Sequence, residues 1–292
     1  MRCSGKSRKH PKGSRVFSSG GSRLGIRKGR KMAEIISVET DTRGIATLTI
    51  DRQSALNAFD QAQVAAFNDA MAKLESTNGL RALVLQGVGK IFCAGADVTY
   101  LRDKGAEPWE DNLADAENYA AMSRRLRDLQ APVIAKVQGG AYGGGIGIVA
   151  ASDIVIAENS AKFAVTEGKF GFTASIMMPY LLPRIGTRQA RRWCLTSEVM
   201  SAEKALSIGL IDQVVDEGDL DSALETMIDG LLHNGPGGVA ETKVAMNYLS
   251  YPAFDDATID ASIDAFAKGR AMESAREGAA SFVEKRKPAW AP

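Results

Sequence analysis

Two glycine-bearing loops constrain the fold of this chain more than any other feature: Lys90-Ile91-Phe92-Cys93-Ala94-Gly95-Ala96-Asp97 and Gln138-Gly139-Gly140-Ala141-Tyr142-Gly143-Gly144-Gly145. Each follows a short apolar β-prone run, Arg81 to Gln86 and Pro132 to Val137, and carries glycine where the chain must turn or adopt positive φ. Both loops then sit at strand ends, with little side chain where main-chain N–H groups can converge on one ligand oxygen. After the second loop, Gly145 to Ala151 turns apolar and reads as the start of a buried helix, whose free N–H groups favour negative charge. If the Ala96 and Gly144 N–H groups face one another, a carbonyl between them becomes an enolate at low cost. One such donor typically lowers a barrier by about 3 kcal/mol. The chemistry expected is proton movement beside a carbonyl of the thioester type.

With 292 residues and 45% apolar content the chain can bury a large core. No run approaches the roughly 18 apolar residues of a membrane span, so the expectation is a globular protein with no membrane association. Three scattered cysteines (Cys3, Cys93, Cys194) and two histidines (His10, His233) support neither a disulfide framework nor a metal site. His233 lies in the polar, glycine-rich stretch His233 to Gly238 and reads as a loop residue, which argues against a Ser-His-Asp hydrolase.

Charge is unevenly distributed. Residues 1–31 hold eleven Lys/Arg and no Asp/Glu, leaving 25 basic against 35 acidic groups in the remainder, a net of −10. The basic segment has the composition of a disordered extension (1–32). Three readings stay open for it: upstream or vector sequence ahead of a start at Met32, an organellar transit peptide, or a nucleic-acid arm, the last weakened because charge runs are usually just solvated. The expected compartment is the cytoplasm, or the mitochondrion if the segment is a transit peptide.

Periodicity organises the body. Ile35 to Glu39 and Ile45 to Ile50 read as strands around a turn at Asp41-Thr42-Arg43-Gly44, and Asp60 to Leu74 as a helix capped by Asp60. A loop at 87–99, an acidic helix from about Trp109 to Leu129, a strand at 133–137, a short helix at 145–151 and a strand at 153–157 follow. Strands alternating with helices imply β/α units and right-handed crossovers. From about 174 onward the pattern is helical, in segments near 174–183, 187–196, 201–208, 219–233, 236–250, 256–270 and 273–286, apart from a weak strand signal in Ile211 to Val215. Ala257 to Ala271 places Ile259, Ile263, Phe266 and Ala267 on one face. Gly145-Ile146-Gly147-Ile148-Val149-Ala150 matches a dinucleotide-binding fingerprint, but Glu158 follows Gly145 by only thirteen residues, against the roughly twenty such a site needs.

Taken in order, Ala55-Leu56-Asn57-Ala58, Phe92 to Asp97, Gln138-Gly139 with Gly143-Gly144-Gly145, Ala151-Ser152-Asp153-Ile154, Phe163-Ala164-Val165-Thr166-Glu167, Ser201 to Ala205 and Gly209-Leu210-Ile211-Asp212 form a specific set. On these the chain resembles the crotonase (enoyl-CoA hydratase/isomerase) superfamily over about residues 34–290. The resemblance implies an α/β fold with a ββα spiral core, here 33–233, and a C-terminal helical oligomerisation region, 234–292, that builds homotrimers or dimers of trimers. It implies an acyl-CoA substrate, with CoA part of the substrate and no separate cofactor. The thioester oxygen would meet the N–H groups of Ala96 and Gly144. Asp97, Val98 and Thr99 would line the thioester and pantetheine path with them, and Ala55 and Leu56 would lie near the CoA nucleotide.

The best-known hydratases of that superfamily carry two glutamates. Here the first position is Gly147 and the second is Glu167. Read alone, Glu167 is more readily a capping or exposed loop carboxylate, since loop acids are common; the resemblance makes it the acid–base. Asp115 and Glu117 are candidates for a second acid, against the solvated role usual for acids on an amphipathic helix. The acidic helix, the Val137 to Gly144 run and Ile185 to Arg192 also resemble branched-chain members of the methylglutaconyl-CoA hydratase type. Such substrates would need a cation, with Lys169, Arg184 and Arg188 unplaced. The expected activity is enoyl-CoA hydration in fatty-acid or branched-chain degradation. The alternatives are β,γ to α,β isomerisation by Glu167 alone and a non-catalytic acyl-CoA or RNA-binding role.

Overall fold

The computed structural model describes residues 35–249 and 256–290; the basic segment 1–31 lies outside them. The strands are β1 Ile36–Thr40, β2 Ile45–Ile50, β3 Ala82–Gly87, β4 Val133–Val137, β5 Gly140–Tyr142, β6 Ile154–Glu158, β7 Lys162–Ala164, β8 Met200–Ser201 and β9 Gln213–Val215. The helices are α1 Gln61–Glu75, α2 Val98–Gly105, α3 Trp109–Asp128, α4 Gly144–Ala151, α5 Met178–Thr196, α6 Ala202–Ser207, α7 Leu220–Leu232, α8 Pro236–Leu249, α9 Asp256–Arg270 and α10 Glu273–Val283.

The chain starts as a hairpin. Asp41 Oδ1 accepts from the N–H groups of Arg43 and Ile45, closing the expected turn between antiparallel β1 and β2. Thereafter β2, β3, β4, β6 and β9 pair in parallel, giving a six-stranded sheet ordered β1-β2-β3-β4-β6-β9. Strands β5, β7 and β8 form a second, three-stranded sheet. Consecutive strands thus leave one sheet for the other, β4 to β5 and β6 to β7, while α1, then α2 and α3, then α4 return the chain to the next parallel strand of the large sheet, turn by turn of a spiral.

Alternation along the strands covers both faces of the large sheet. Leu48, Ile50, Leu83, Leu85, Val133 and Ala135 point into the main core with Phe67, Met71, Met122 and Ile146. Ile45, Val84, Ile134 and Ile156 point the other way and are covered by Leu220, Leu224 and Ile228 of α7. Ile259, Ile263, Phe266 and Ala267 are buried, so the apolar face of α9 packs on the body as its periodicity indicates.

Some elements depart from the sequence reading. In the region after 174, Met200–Ser201 pairs with Lys162 and Phe163 where only helix was expected, whereas Gln213–Val215 extends the large sheet beside Ile156–Glu158 at the place of the weak strand signal. A strand of two residues is too short to show a period and exists only because an edge is there to receive it. A helix, α2, occupies the end of the expected loop; Asp97 Oδ1 accepts from Thr99 N at 2.9 Å and Tyr100 N at 3.4 Å, an N-cap visible in the sequence. Gly186, at φ 71°, breaks α5 into two pieces, in agreement with the separate helical segments expected near 174–183 and 187–196.

Candidate active site

The two glycine loops are laced together by main chain. Phe92 N–H donates to Gln138 O at 3.0 Å, and Tyr142 N–H to Cys93 O at 2.9 Å. Asn57, almost fully buried, fixes the first loop from below: its Nδ2 lies 2.9 Å from Val88 O, 3.0 Å from Ile91 O and 3.2 Å from Phe92 O, while its Oδ1 accepts from Arg52 N–H at 3.0 Å. Arg52 in turn bridges Asp60 and Asp97 at 3.0 and 2.9 Å. These contacts explain why Asn57 stands in the Ala55 to Ala58 segment.

The same lacing aims two N–H groups at one place. Phe59 N–H donates to Gly95 O and Asp97 N–H to Phe59 O, at 2.7 and 2.8 Å. In a parallel bridge the residue between those partners points its own N–H to the opposite side, and that residue is Ala96. On the second loop, Gly143 N–H donates to Ala164 O at 2.9 Å, and the next N–H, of Gly144, opens α4. The two sites are adjacent: a Cβ at Gly95 would stand 2.8 Å from Gly144 N, and one at Gly144 would stand 3.5 Å from Ala96 N. With φ of 93° and no room for a side chain, Gly95 is the residue that lets the loops approach. Two N–H groups and a helix N-terminus so disposed are chemically suited to hold a developing oxyanion.

Glu167 stands beside it. The bond from Gly143 to Ala164 extends the β5–β7 pairing, so the turn after β7 passes over the second loop, and Glu167 Oε1 lies 3.2 Å from where a Cβ of Gly143 would be. The residue is 9% exposed, and Oε2 has no hydrogen-bond partner among the described residues. Burial pushes its carboxyl up to about 7, against the pull of the Glu167 and Thr166 N–H groups. A carboxyl so placed exchanges protons near neutral pH.

Of the residues expected at the site, Ala96, Gly144 and Glu167 come together. Ala55 and Leu56 border the first loop, where Leu56 O accepts from Ala94 N–H at 3.0 Å and the Leu56 side chain is exposed. Asp97, Val98 and Thr99 form the start of α2. Glu117 is exposed, as expected. Asp115 is not: it is buried, accepts from Tyr100 Oη at 2.7 Å and pairs with the fully buried Arg270 at 2.7 Å. Its partner comes from α9, a long-range contact with no local signal. Gly147 has Met177 Cβ and Ser123 Oγ as the neighbours a Cβ would meet, at 3.4 and 3.6 Å, with no carboxylate. Arg184 holds the main-chain oxygens of Val149, Asp153 and Leu210, while Lys169 and Arg188 are exposed. His233 is exposed on the end of α7. The Cys93 thiol, pushed up to about 12 by burial, donates to Asn57 O and is no nucleophile.

Sequence reasoning passed over Tyr119. It lies on the buried face of α3, its ring edge-on to Phe59 at 6.5 Å and tilted against Phe266 at 5.7 Å. Its hydroxyl would be 2.2 Å from a Cβ at Gly144 and has no hydrogen-bond partner among the described residues. Its spacing with Ala116 and Ala120 reads as ordinary core, so no sequence signal marks it.

A model of the enoyl-CoA hydratase/isomerase family matches residues 40–292. The chain belongs to that family. It is 32% identical over 251 residues to the 1,2-epoxyphenylacetyl-CoA isomerase of Escherichia coli K12, covering 84% of this chain and 94% of that one. Identity to the short-chain-enoyl-CoA hydratase of Clostridium acetobutylicum is 30% over 249 residues, covering 83% and 92%. The crystal structure of an enoyl-CoA hydratase from Mycobacterium avium superposes with a TM-score of 0.78 at 30% identity, covering 89% of this chain and all of that one. The family is the crotonase superfamily of the sequence reading, and membership makes the protein an enzyme of acyl-CoA thioesters. No helix among the described residues is long and apolar enough to cross a membrane.

Proposed function

We propose that the protein is an enoyl-CoA hydratase in which Glu167 is the acid–base and the Ala96 and Gly144 N–H groups hold the thioester oxygen. The observation that carries this reading is the buried Glu167 carboxyl beside that pair of donors. As the thioester oxygen gains charge, the two donors and the α4 N-terminus stabilise the enolate. The Glu167 carboxylate takes a proton from water as the oxygen adds to the β-carbon, and the resulting acid returns a proton to the α-carbon. Main chain at Asp97, Val98 and Thr99 lines the pantetheine path, and Ala55 and Leu56 approach the nucleotide.

A second reading, β,γ to α,β isomerisation, is favoured by one observation: Gly147 offers no second carboxylate. One base suffices to carry a proton from the α- to the γ-carbon of a dienolate. A branched substrate with its own carboxylate has weaker support, because Arg184 is engaged with main-chain oxygens and Lys169 and Arg188 face outward. Assembly into trimers or dimers of trimers is part of the proposal; exposed Val244 and Met246 on α8 and Phe282 and Val283 on α10 supply apolar surface for it. The test is turnover of crotonyl-CoA, methylglutaconyl-CoA and a β,γ-enoyl-CoA by wild type and Glu167→Gln. Hydration of an α,β-enoyl substrate that is lost in the variant supports the hydratase; isomerisation alone overturns it in favour of the second reading.

A further inference from the structure

A buried hydroxyl with no partner is costly, so one that faces a candidate ligand site is explained by a ligand that completes it. Tyr119 is 5% exposed, and its Oη is such an atom. Its position is set by rigid neighbours: Phe59, whose main chain holds Gly95 and Asp97, stands edge-on to one side of the ring, and Phe266 lies against it with the Arg270 guanidinium 4.8 Å beyond. Swinging the hydroxyl to another partner would give up the ring's contacts with Phe59 and Phe266. It therefore stays where a Cβ of Gly144 would be 2.2 Å from Oη and 3.5 Å from Ala96 N.

We infer that Tyr119 is a third donor in the oxyanion hole, a catalytic residue whose hydroxyl hydrogen-bonds the thioester oxygen alongside the Ala96 and Gly144 N–H groups. The inference rests on the reading of that hole as a thioester site. It also accounts for Gly144, since any side chain there would occupy the space of the phenol. Burial, with Cys93, Tyr100 and Glu167 adding to it, raises the Tyr119 phenol well above its ordinary value, so it stays a neutral donor across the working pH range. The hydrogen bond strengthens as charge develops on the oxygen, which places its effect in kcat more than in KM. It also compensates in part for the single carboxylate, because a better-stabilised enolate asks less of the base.

The experiment uses cinnamoyl-CoA, whose conjugated thioester absorbs further to the red when its carbonyl is polarised. Tyr119→Phe preserves the ring packing and is expected to lose part of the red shift seen on binding to wild type, with kcat on the best enoyl-CoA falling about 10²-fold at nearly unchanged KM. A wild-type red shift and kcat in Tyr119→Phe, or a variant that only melts earlier with the shift intact, would overturn the inference. A fluorotyrosine at 119 keeps the shape and makes the phenol a stronger donor, so the shift should grow; an unmoved shift overturns the inference even if Tyr119→Phe does not fold. Wild type that binds cinnamoyl-CoA without any red shift would instead sink the thioester-site reading on which the inference stands.

Discussion

At the scale of single residues, the proposed site depends on a few side chains, Glu167 first among them, and on several positions that must lack one. Glu167→Gln should lower kcat by about 10²- to 10⁴-fold with little change in substrate affinity, as measured by turnover and by direct binding. Because burial holds the carboxyl up to about 7, the basic form accumulates as pH rises through that value. Wild-type kcat/KM for hydration should therefore climb toward pH 7 and level above it. Stability has the opposite sign. The fold favours the protonated form, so this group's contribution is fully present below the ordinary value of 4.5 and declines as pH rises through about 7. Urea midpoints should show that decline in wild type and a flatter profile in Glu167→Gln. Asn57→Ala should destabilise by about 1–3 kcal/mol, because the carbonyls of Val88, Ile91 and Phe92 lose a buried donor. It should also lower activity beyond what stability explains, since those contacts set the course of the first loop.

At the scale of elements, the helices that follow the first loop are tied to a helix far away in the chain. Arg270 of α9 reaches Asp115 Oδ2 and Asn112 O on α3 at 2.7 and 2.8 Å, and Tyr100 of α2 closes the network on Asp115. Asp115→Ala would leave a buried guanidinium without its counter-charge and should cost about 3–5 kcal/mol in chemical denaturation. What the sequence reveals at this scale follows periodicity and local chemistry. The β1–β2 turn, the Asp60 cap, the two loops at strand ends and the apolar face of α9 are all readable, because each is written in neighbouring residues. What escapes is what depends on distant partners. Strand β8 needs an edge to join, the burial of Asp115 needs Arg270, and the aim of Tyr119 needs Phe59 and Phe266. Glu167 lies between these cases: its residue type is plain, but its place over Gly143 is made by pairing of β5 with β7. Helix α2 is a miss of another kind, since Asp97 already advertises the cap.

At the scale of the molecule, the spiral places three chain segments at one point: the first loop after β3, the second loop at the start of α4, and the turn after β7. Separate loops on separate strands let the proposed donors and base be positioned independently, which a single loop could not do. A cavity of about 310 Å³ lined by Ala151, Asp153, Arg184 and Lys243 lies toward the other end of α4, so the helix joins two distinct regions of the body. If the exposed apolar residues of α8 and α10 meet other copies, light scattering should give three or six times the 31.1 kDa chain mass. A single-chain mass at micromolar concentration would remove the oligomer from the proposal.

The central claim is that Glu167 alone moves protons at an enolate held by Ala96 and Gly144. Its most direct test is the NMR spectrum of an enoyl-CoA turned over in heavy water by wild type and by Glu167→Gln. Glu167 as acid–base predicts deuterium at the α-carbon of a hydrated product with wild type and neither product nor exchange with the variant. Hydration and α-deuteration persisting in the folded Glu167→Gln protein would contradict it.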